Sequence, residues 1–253
     1  MDGVVTDLWL IGIGTGNPRH ATLEAVQAIR NAALILLPRK GRDKADLADL
    51  RHTILRNCDS TAPIIEFDMP VRDDTLPYLQ RVTKWHDEIA TIWATAIKQS
   101  GLSGPVALLV WGDPGLYDST LRIAARLQPA PRVRVVPGIT ALQALTAAHA
   151  IPFNTLNGAV TITTGRRLRD HGWPKGADTV AVMLDSQCSF RDLPPDGLHI
   201  WWGAFLGMPE QVLAAGPLAT FAQPIVDLRA TSRLRHGWIM DSYILRRQDM
   251  TTA

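Results

Sequence analysis

The chain has 253 residues, 46% of them hydrophobic, and its 26 basic and 24 acidic side chains give a formal charge of +2. That length and apolar content suit one large domain or two small ones, burying about 70% of the unfolded surface. The balance of charge argues against a nucleic-acid partner, and two distant cysteines, Cys58 and Cys188, offer neither a metal-ligand spacing nor a disulfide framework.

The opening "MDGVVTDLWLIGIG" has no basic stretch before its apolar run. Charges or prolines break every apolar stretch well short of the roughly 20 residues a membrane span needs. A cytoplasmic protein with no membrane partner is expected.

In chain order, "DLWLIGIG" reads as a strand, "HATLEAVQAIRNA" as a helix and "ALILLP" as a strand. "KADLADLRHTILRN" reads as a helix and "APIIEF" as a short strand. Residues 76 to 99 set Leu76, Leu79, Val82, Trp85, Ile89, Ile92, Ala96 and Ile97 at helical spacing, which predicts one long amphipathic helix. "PVALLVW" is nearly continuous in apolar residues, as a strand covered on both faces requires. "STLRIAARL" is a helix and "VRVVPG" a strand. This alternation predicts an α/β layered domain with a largely parallel sheet. Beyond it, "ITALQALTAAHA" is a helix, and strands are expected at "AVTITT", "DTVAVML", "LHIWWGAF", "PIVDLRA" and "WIMDSYIL". Pro129, Pro131 and Pro137 mark a boundary, so two α/β domains are expected, 1–130 and 131–253.

Three loops punctuate this order. "GIGTGNPRH", Gly12 to His20, follows the first strand. Its G-x-G-x-G spacing is not that of a dinucleotide fingerprint, and no acid follows the second strand where a ribose would need one. A nicotinamide oxidoreductase is therefore disfavoured. "VWGDPGLYDST" interrupts an apolar strand with Gly112-Asp113-Pro114-Gly115. Glycine removes the side-chain wall and proline fixes the backbone after Asp113, so amides and carbonyls face the C-terminal edge of the sheet, where open α/β sheets place ligands. Asp113 either holds this turn or acts chemically. "VVPGITALQALTAAHAIPFN" ends a strand in Pro137-Gly138 before an alanine-rich helix, which Thr140 can cap.

Taken together, G-x-G-x-G-x-P, G-D-P and V-P-G-I-T at these places resemble the tetrapyrrole methylases over nearly the whole chain. The resemblance implies two α/β/α domains with a cofactor cleft between them, a fold distinct from the Rossmann-like methyltransferases. It implies S-adenosyl-L-methionine as cofactor, S-adenosyl-L-homocysteine as product, and a homodimer. Carried over residue by residue, it places the cofactor at Trp111, Gly112, Asp113, Leu116, Thr140, Ala141, Met183 and Ala204. The first loop departs from the relatives' G-x-G-P-G-D: Thr15 and Asn17 stand at the proline and the acid. Trp111 stands where many relatives have glycine.

The implied reaction methylates carbon 1 of precorrin-5, a tetrapyrrole, and then releases an acetyl group as acetate. Methyl transfer needs in-line alignment and exclusion of water, with no metal. Acetate release needs a base for water and a donor for the oxyanion. Asp113, Tyr117 and Asp185 are the catalytic candidates; each also has a structural reading, as a loop former, a packed aromatic and a cap.

Precorrins carry many carboxylates, which arginine binds bidentately. Arg166, Arg167 and Arg169 form one cluster, Arg233 and Arg235 a second, Arg246 and Arg247 a third. The first is favoured because "TTGRR" leaves a strand end beside a glycine; Arg39 and Lys40 leave the second strand similarly. Substrate contacts are expected at Thr15, Arg39, Arg166 and Arg167. The seven histidines form no ligand pair; His20 is expected to start a helix, His86 to be partly exposed and His236 to make a structural hydrogen bond. Other readings are a methyltransferase of the same fold acting on another precorrin or on rRNA ribose, and a non-catalytic tetrapyrrole carrier.

Overall fold

The computed structural model describes residues 5–39 and 45–247. The chain divides into two compact units, Met1–Thr140 and Ala141–Ala253.

The first unit is built on five parallel strands in the order β3-β2-β4-β1-β5: β1 (Asp7–Gly12), β2 (Leu34–Arg39), β3 (Ile64–Asp68), β4 (Val106–Val110) and β5 (Arg132–Val136). Every residue of central β4 is buried, as its unbroken apolar run requires. Leu8, Leu10, Leu34, Leu36, Val106, Leu108 and Val110 pack on Ile89 and Trp93 of the long helix α3 (Tyr78–Ser100) and on Ile123 of α4 (Thr120–Ala124). The opposite face turns Ile11, Ile35, Leu37, Ala107 and Leu109 to α1 (Leu23–Arg30) and α2 (Ala45–Asn57). Alternate residues of one strand thus feed two cores. Helix α1 is capped by Thr22, whose hydroxyl accepts the Ala25 amide at 3.0 Å.

The division at 140/141 falls ten residues beyond the expected 130/131. β5 is the reason: it pairs parallel with β1 from Asp7↔Arg132 to Ile11↔Val136 and so completes the first sheet. Pro129 and Pro131 lie on the approach to that strand, and Pro137 follows its end.

The second unit carries a mixed sheet in the order β6-β7-β10-β8-β9: β6 (Val160–Thr164), β7 (Thr179–Met183), β8 (Leu198–Ala204), β9 (Val212–Pro217) and β10 (Asp241–Arg247). Only β6 and β7 run parallel; β10 is antiparallel to both β7 and β8. Helices α5 (Ala141–His149), α6 (Gly165–His171) and α7 (Leu218–His236) complete the unit.

One reading of this half is corrected. "PIVDLRA" lies within α7, where buried Leu218, Ile225 and Ser232 recur every seven residues; that spacing needs a longer window than the short apolar run, and Pro224 is carried inside the helix. "TTGRR" does leave a strand end beside a glycine: Thr164 ends β6 and α6 begins at Gly165. Strand β9, "VLAAGP", carries too little bulk to announce itself.

His86 is 3% exposed, a correction to its expected exposure, and its Nε2 meets no hydrogen-bond partner among the described residues. Burial lowers its pKa, and Arg126, Arg122 and Arg72 push the same way. As pH falls through 6.5, the unfolded chain takes up a proton that folded His86 refuses, so stability declines until the folded pKa is passed. The melting temperature is expected to fall between pH 7.5 and pH 5.5, and more steeply in the wild type than in His86→Leu. Parallel slopes would exclude this residue as a source.

Candidate functional site

The candidate site grows from the C-terminal ends of β1, β4 and β5. Gly12, Gly112 and Gly138 meet there so closely that side chains have no place between them. A Cβ on Gly12 would lie 2.7 Å from the Gly138 nitrogen and 2.8 Å from the Gly112 oxygen, and one on Gly138 would overlap that same oxygen. The Gly112 amide donates to the Gly14 oxygen at 2.8 Å, tying the first loop to the second. Gly112 itself has φ +64°, and a Cβ there would meet nothing nearer than Thr140 Cα at 3.6 Å. Glycine there serves the left-handed backbone, since a Cβ would make only ordinary contacts.

Asp113 holds the turn. Its Oδ1 accepts the Gly115 amide at 2.7 Å and its Oδ2 the Gly138 amide at 2.9 Å, so one carboxylate joins the G-D-P loop to the P-G-I-T turn. Leu116, half-buried, donates its amide to the Asp113 oxygen at 3.2 Å. Tyr117 follows at φ +50°, a left-handed conformation rare outside glycine, and is 42% exposed. Asp118 then accepts both the amide and the hydroxyl of Thr120.

Trp111, at the head of this loop, lies under a guanidinium absent from the expected set. Arg51 of α2 is 6% exposed, sits 4.9 Å from the Trp111 ring centre and donates Nε to the Leu109 oxygen at 3.4 Å. Burial lowers its pKa to about 10, with Asp118 opposing the shift, so it stays charged at neutral pH. Its placement was legible in part: Arg51 falls three residues before Ile54 and four before Leu55, on the apolar face of α2.

The first loop adds a second unexpected group. Thr15, 8% exposed, lies 2.8 Å through Oγ1 from Nδ1 of His20. Asn17 accepts the Arg19 amide at 2.9 Å and caps the single turn Pro18–His20, so His20 closes a helical turn and does not start one. Arg39, at the C-terminal end of β2, is engaged by Asp68 at 3.2 Å and Glu66 at 3.6 Å; Lys40 lies outside the described residues.

In the second unit Asp185 is 8% exposed and fully used. It accepts the amides of Gln187 (3.0 Å) and Ser189 (2.6 Å), the Ser189 hydroxyl (3.0 Å) and the Tyr243 hydroxyl (2.7 Å). Burial pushes the Tyr243 phenol well above its ordinary value and Asp185 adds to the shift, so it remains a donor. A Cβ on Gly165 would overlap the Asp185 carboxylate, which explains the glycine that opens α6. Arg166 and Arg167 are exposed on the first turn of that helix. Met183 ends β7 half-buried, Ala204 ends β8 fully buried, and Ala141 opens α5. Arg246 is a brace: it donates to the Pro152 and Phe153 oxygens at 2.7 and 3.2 Å and to Thr179 at 3.1 Å.

Trp111, Gly112, Asp113, Leu116, Tyr117, Thr140 and Thr15 thus share one edge of the first unit, while Arg166, Arg167, Met183 and Asp185 share the strand ends of β6 and β7 in the second. Among the described residues no three His, Cys, Asp or Glu side chains gather as a metal-ligand set, and no helix is long and apolar enough to cross a membrane.

A parallel sheet with glycine loops at its C-terminal edge, followed by a mixed five-stranded sheet, defines a two-unit α/β protein. The chain belongs to the Tetrapyrrole (Corrin/Porphyrin) Methylases, whose family model matches residues 7–222. It is 41% identical over 246 residues to a precorrin-6A synthase [deacetylating] from Sinorhizobium sp, covering 94% of each chain. A crystal structure of a cobalamin synthesis related protein (CobF) from Corynebacterium diphtheriae superposes with a TM-score of 0.82 at 38% identity, covering 97% of this chain and 100% of that one. A uroporphyrin-III C-methyl transferase from Thermus thermophilus, solved with S-adenyl homocysteine, shares the fold at 17% identity and a TM-score of 0.59, covering 95% of this chain and 97% of that one.

Proposed function

We propose that the chain is an S-adenosylmethionine-dependent C-methyltransferase of corrin synthesis that methylates carbon 1 of precorrin-5 and releases acetate, giving precorrin-6A. The observation that carries this reading is the 41% identity to the deacetylating precorrin-6A synthase, spread over nearly both full lengths.

The residues fit the cofactor. Its binding as proposed uses main-chain groups, and Gly112, at φ +64° and without a side chain, offers them at the strand end. When bound, S-adenosylmethionine supplies an electrophilic methyl group on a sulfonium. Gly112, Leu116, Thr140 and the Trp111 backbone hold it in the first unit; Ala141, Met183 and Ala204 are the contacts assigned to the second. Carbonyl oxygens can accept weak C–H contacts from such a methyl. The rest of that step is alignment and exclusion of water, a matter of rigid placement. Asp113 contributes by fixing the loop through two amides. Tyr117, exposed beside that turn, is assigned as the donor to the oxyanion of acetate release. Asp185, engaged by four hydrogen bonds, sets the loop after β7. Arg166 and Arg167 are assigned to substrate carboxylates, with Thr15 and Arg39 as further contacts. A homodimer belongs to the same reading and is checked by sedimentation.

Anaerobic incubation with precorrin-5 and S-adenosylmethionine tests the proposal, following S-adenosylhomocysteine, acetate and product mass together. The two small products are expected one to one. S-adenosylhomocysteine without acetate would remove the deacetylating half; neither product from folded, cofactor-binding protein would remove the substrate.

A further inference from the structure

Acetate release needs a base, and the carboxylates first considered for it are occupied. Both oxygens of Asp113 accept backbone amides, and Asp185 is closed in by four donors. At the same sheet edge stands an imidazole with a different arrangement. His20 is half-buried, its Nδ1 is fixed 2.8 Å from the buried Thr15 hydroxyl, and among the described residues nothing bonds its Nε2. A Cβ on Gly14 would overlap Cβ of His20, so the base of this side chain packs directly against the loop whose Gly14 oxygen receives the Gly112 amide. Ring, glycine loop and G-D-P loop form one unit of structure.

From this geometry, and resting on the function proposed above, we infer that His20 is the general base of acetate release, with Thr15 as its positioning residue. Nδ1–H donates to Thr15 Oγ1 and leaves Nε2 as a bare acceptor, the arrangement in which an orienting bond on one ring nitrogen frees the other. Burial holds the ring's pKa below its ordinary value, so it is neutral and able to accept a proton at pH 7.5.

Once methylated, the macrocycle carries one added positive charge. Nε2 takes a proton from water as the water oxygen bonds to the acetyl carbonyl carbon. The carbon–carbon bond from acetyl to macrocycle then breaks, its electron pair enters the conjugated ring and cancels that charge, and acetic acid leaves. Acetic acid ionises, and His20 passes its own proton to solvent. Two protons, one acetate and one S-adenosylhomocysteine result for each water consumed.

Two measurements test this. In the free protein labelled with 15N, the His20 ring at pH 7.5 is expected to show a protonated Nδ1 and a bare Nε2; the opposite tautomer would overturn the inference. In the reaction, His20→Ala is expected to slow acetate release by about 10² or more, to bind S-adenosylhomocysteine as the wild type does, and to regain release with added imidazole. Release at the wild-type rate, or a loss that imidazole does not restore, would overturn it. Should His20→Ala fail to fold, Thr15→Val takes its place, with slower release expected and cofactor binding kept; unchanged release would count against the inference. Wild-type protein yielding neither product is a separate result: it rejects the substrate reading, and the tautomer measurement still decides the state of His20.

Discussion

Gly138→Ala is expected to cost about 3 kcal/mol or more of folding stability and to abolish cofactor binding in whatever fraction still folds. The added methyl would overlap the Gly112 oxygen and stand 2.8 Å from both Cα and carbonyl carbon of Gly12. All of these are backbone atoms at the ends of paired strands, so no side chain can rotate aside. Relief requires that β5 or the G-D-P loop move, which breaks the bond from the Gly138 amide to Asp113. Gly112→Ala supplies the contrast. Its methyl would meet only ordinary contacts, at 3.6 Å and beyond, but alanine would have to hold φ +64°. That conformation costs roughly 1–2 kcal/mol. Urea unfolding and S-adenosylhomocysteine titration of the two variants check the ranking. A Gly138 variant no less stable than the Gly112 variant would show that the three strand ends are not held as tightly as described.

Such steric crowding has no signature in one sequence. A glycine at the end of a strand reads equally as a turn or as a ligand cradle, and "GIGTG", "WGDPG" and "VPGIT" were legible only as three turns at one sheet edge. That Gly12, Gly112 and Gly138 touch follows from strand order, since β4 and β5 both flank β1. The parallel half of the fold was readable because its strands are buried on both faces and its helices are amphipathic. The second half was harder. Strand β9 is made of small residues, and α7 shows an apolar pair beside Pro224 that imitates a strand until the seven-residue recurrence is seen. Charge was the least legible property of all. Arg51, His86 and Arg229 lie in helices whose polar and apolar residues are about balanced, and only the tertiary packing removes them from water.

That burial gives the second large effect. Arg229 of α7 donates Nε to Asp241 Oδ2 at 2.9 Å, with the two side chains only 12% and 8% exposed. The same oxygen accepts the Trp202 indole at 3.0 Å, and Arg229 also donates to the Asp185 main-chain oxygen at 3.1 Å. One guanidinium therefore joins α7 to the start of β10 and to the loop after β7. Arg229→Met keeps much of the side-chain volume but leaves Asp241 charged, buried and supported by one indole. A cost of about 3–5 kcal/mol is expected at pH 7.5. Burial already raises the Asp241 pKa, against the pull of Arg229, and without the guanidinium it must rise further. The folded variant then holds a proton that the unfolded chain has released, so its deficit is greatest above the folded pKa and shrinks as pH falls toward the ordinary carboxylate range. Adding Asp241→Asn removes the charge while keeping an acceptor for Trp202, and the double variant is expected to recover more than half of the loss. Unfolding free energies at pH 7.5 and pH 5.5 separate the two contributions. A single variant with the same deficit at both pH values would place the cost in lost packing, not in the stranded carboxylate.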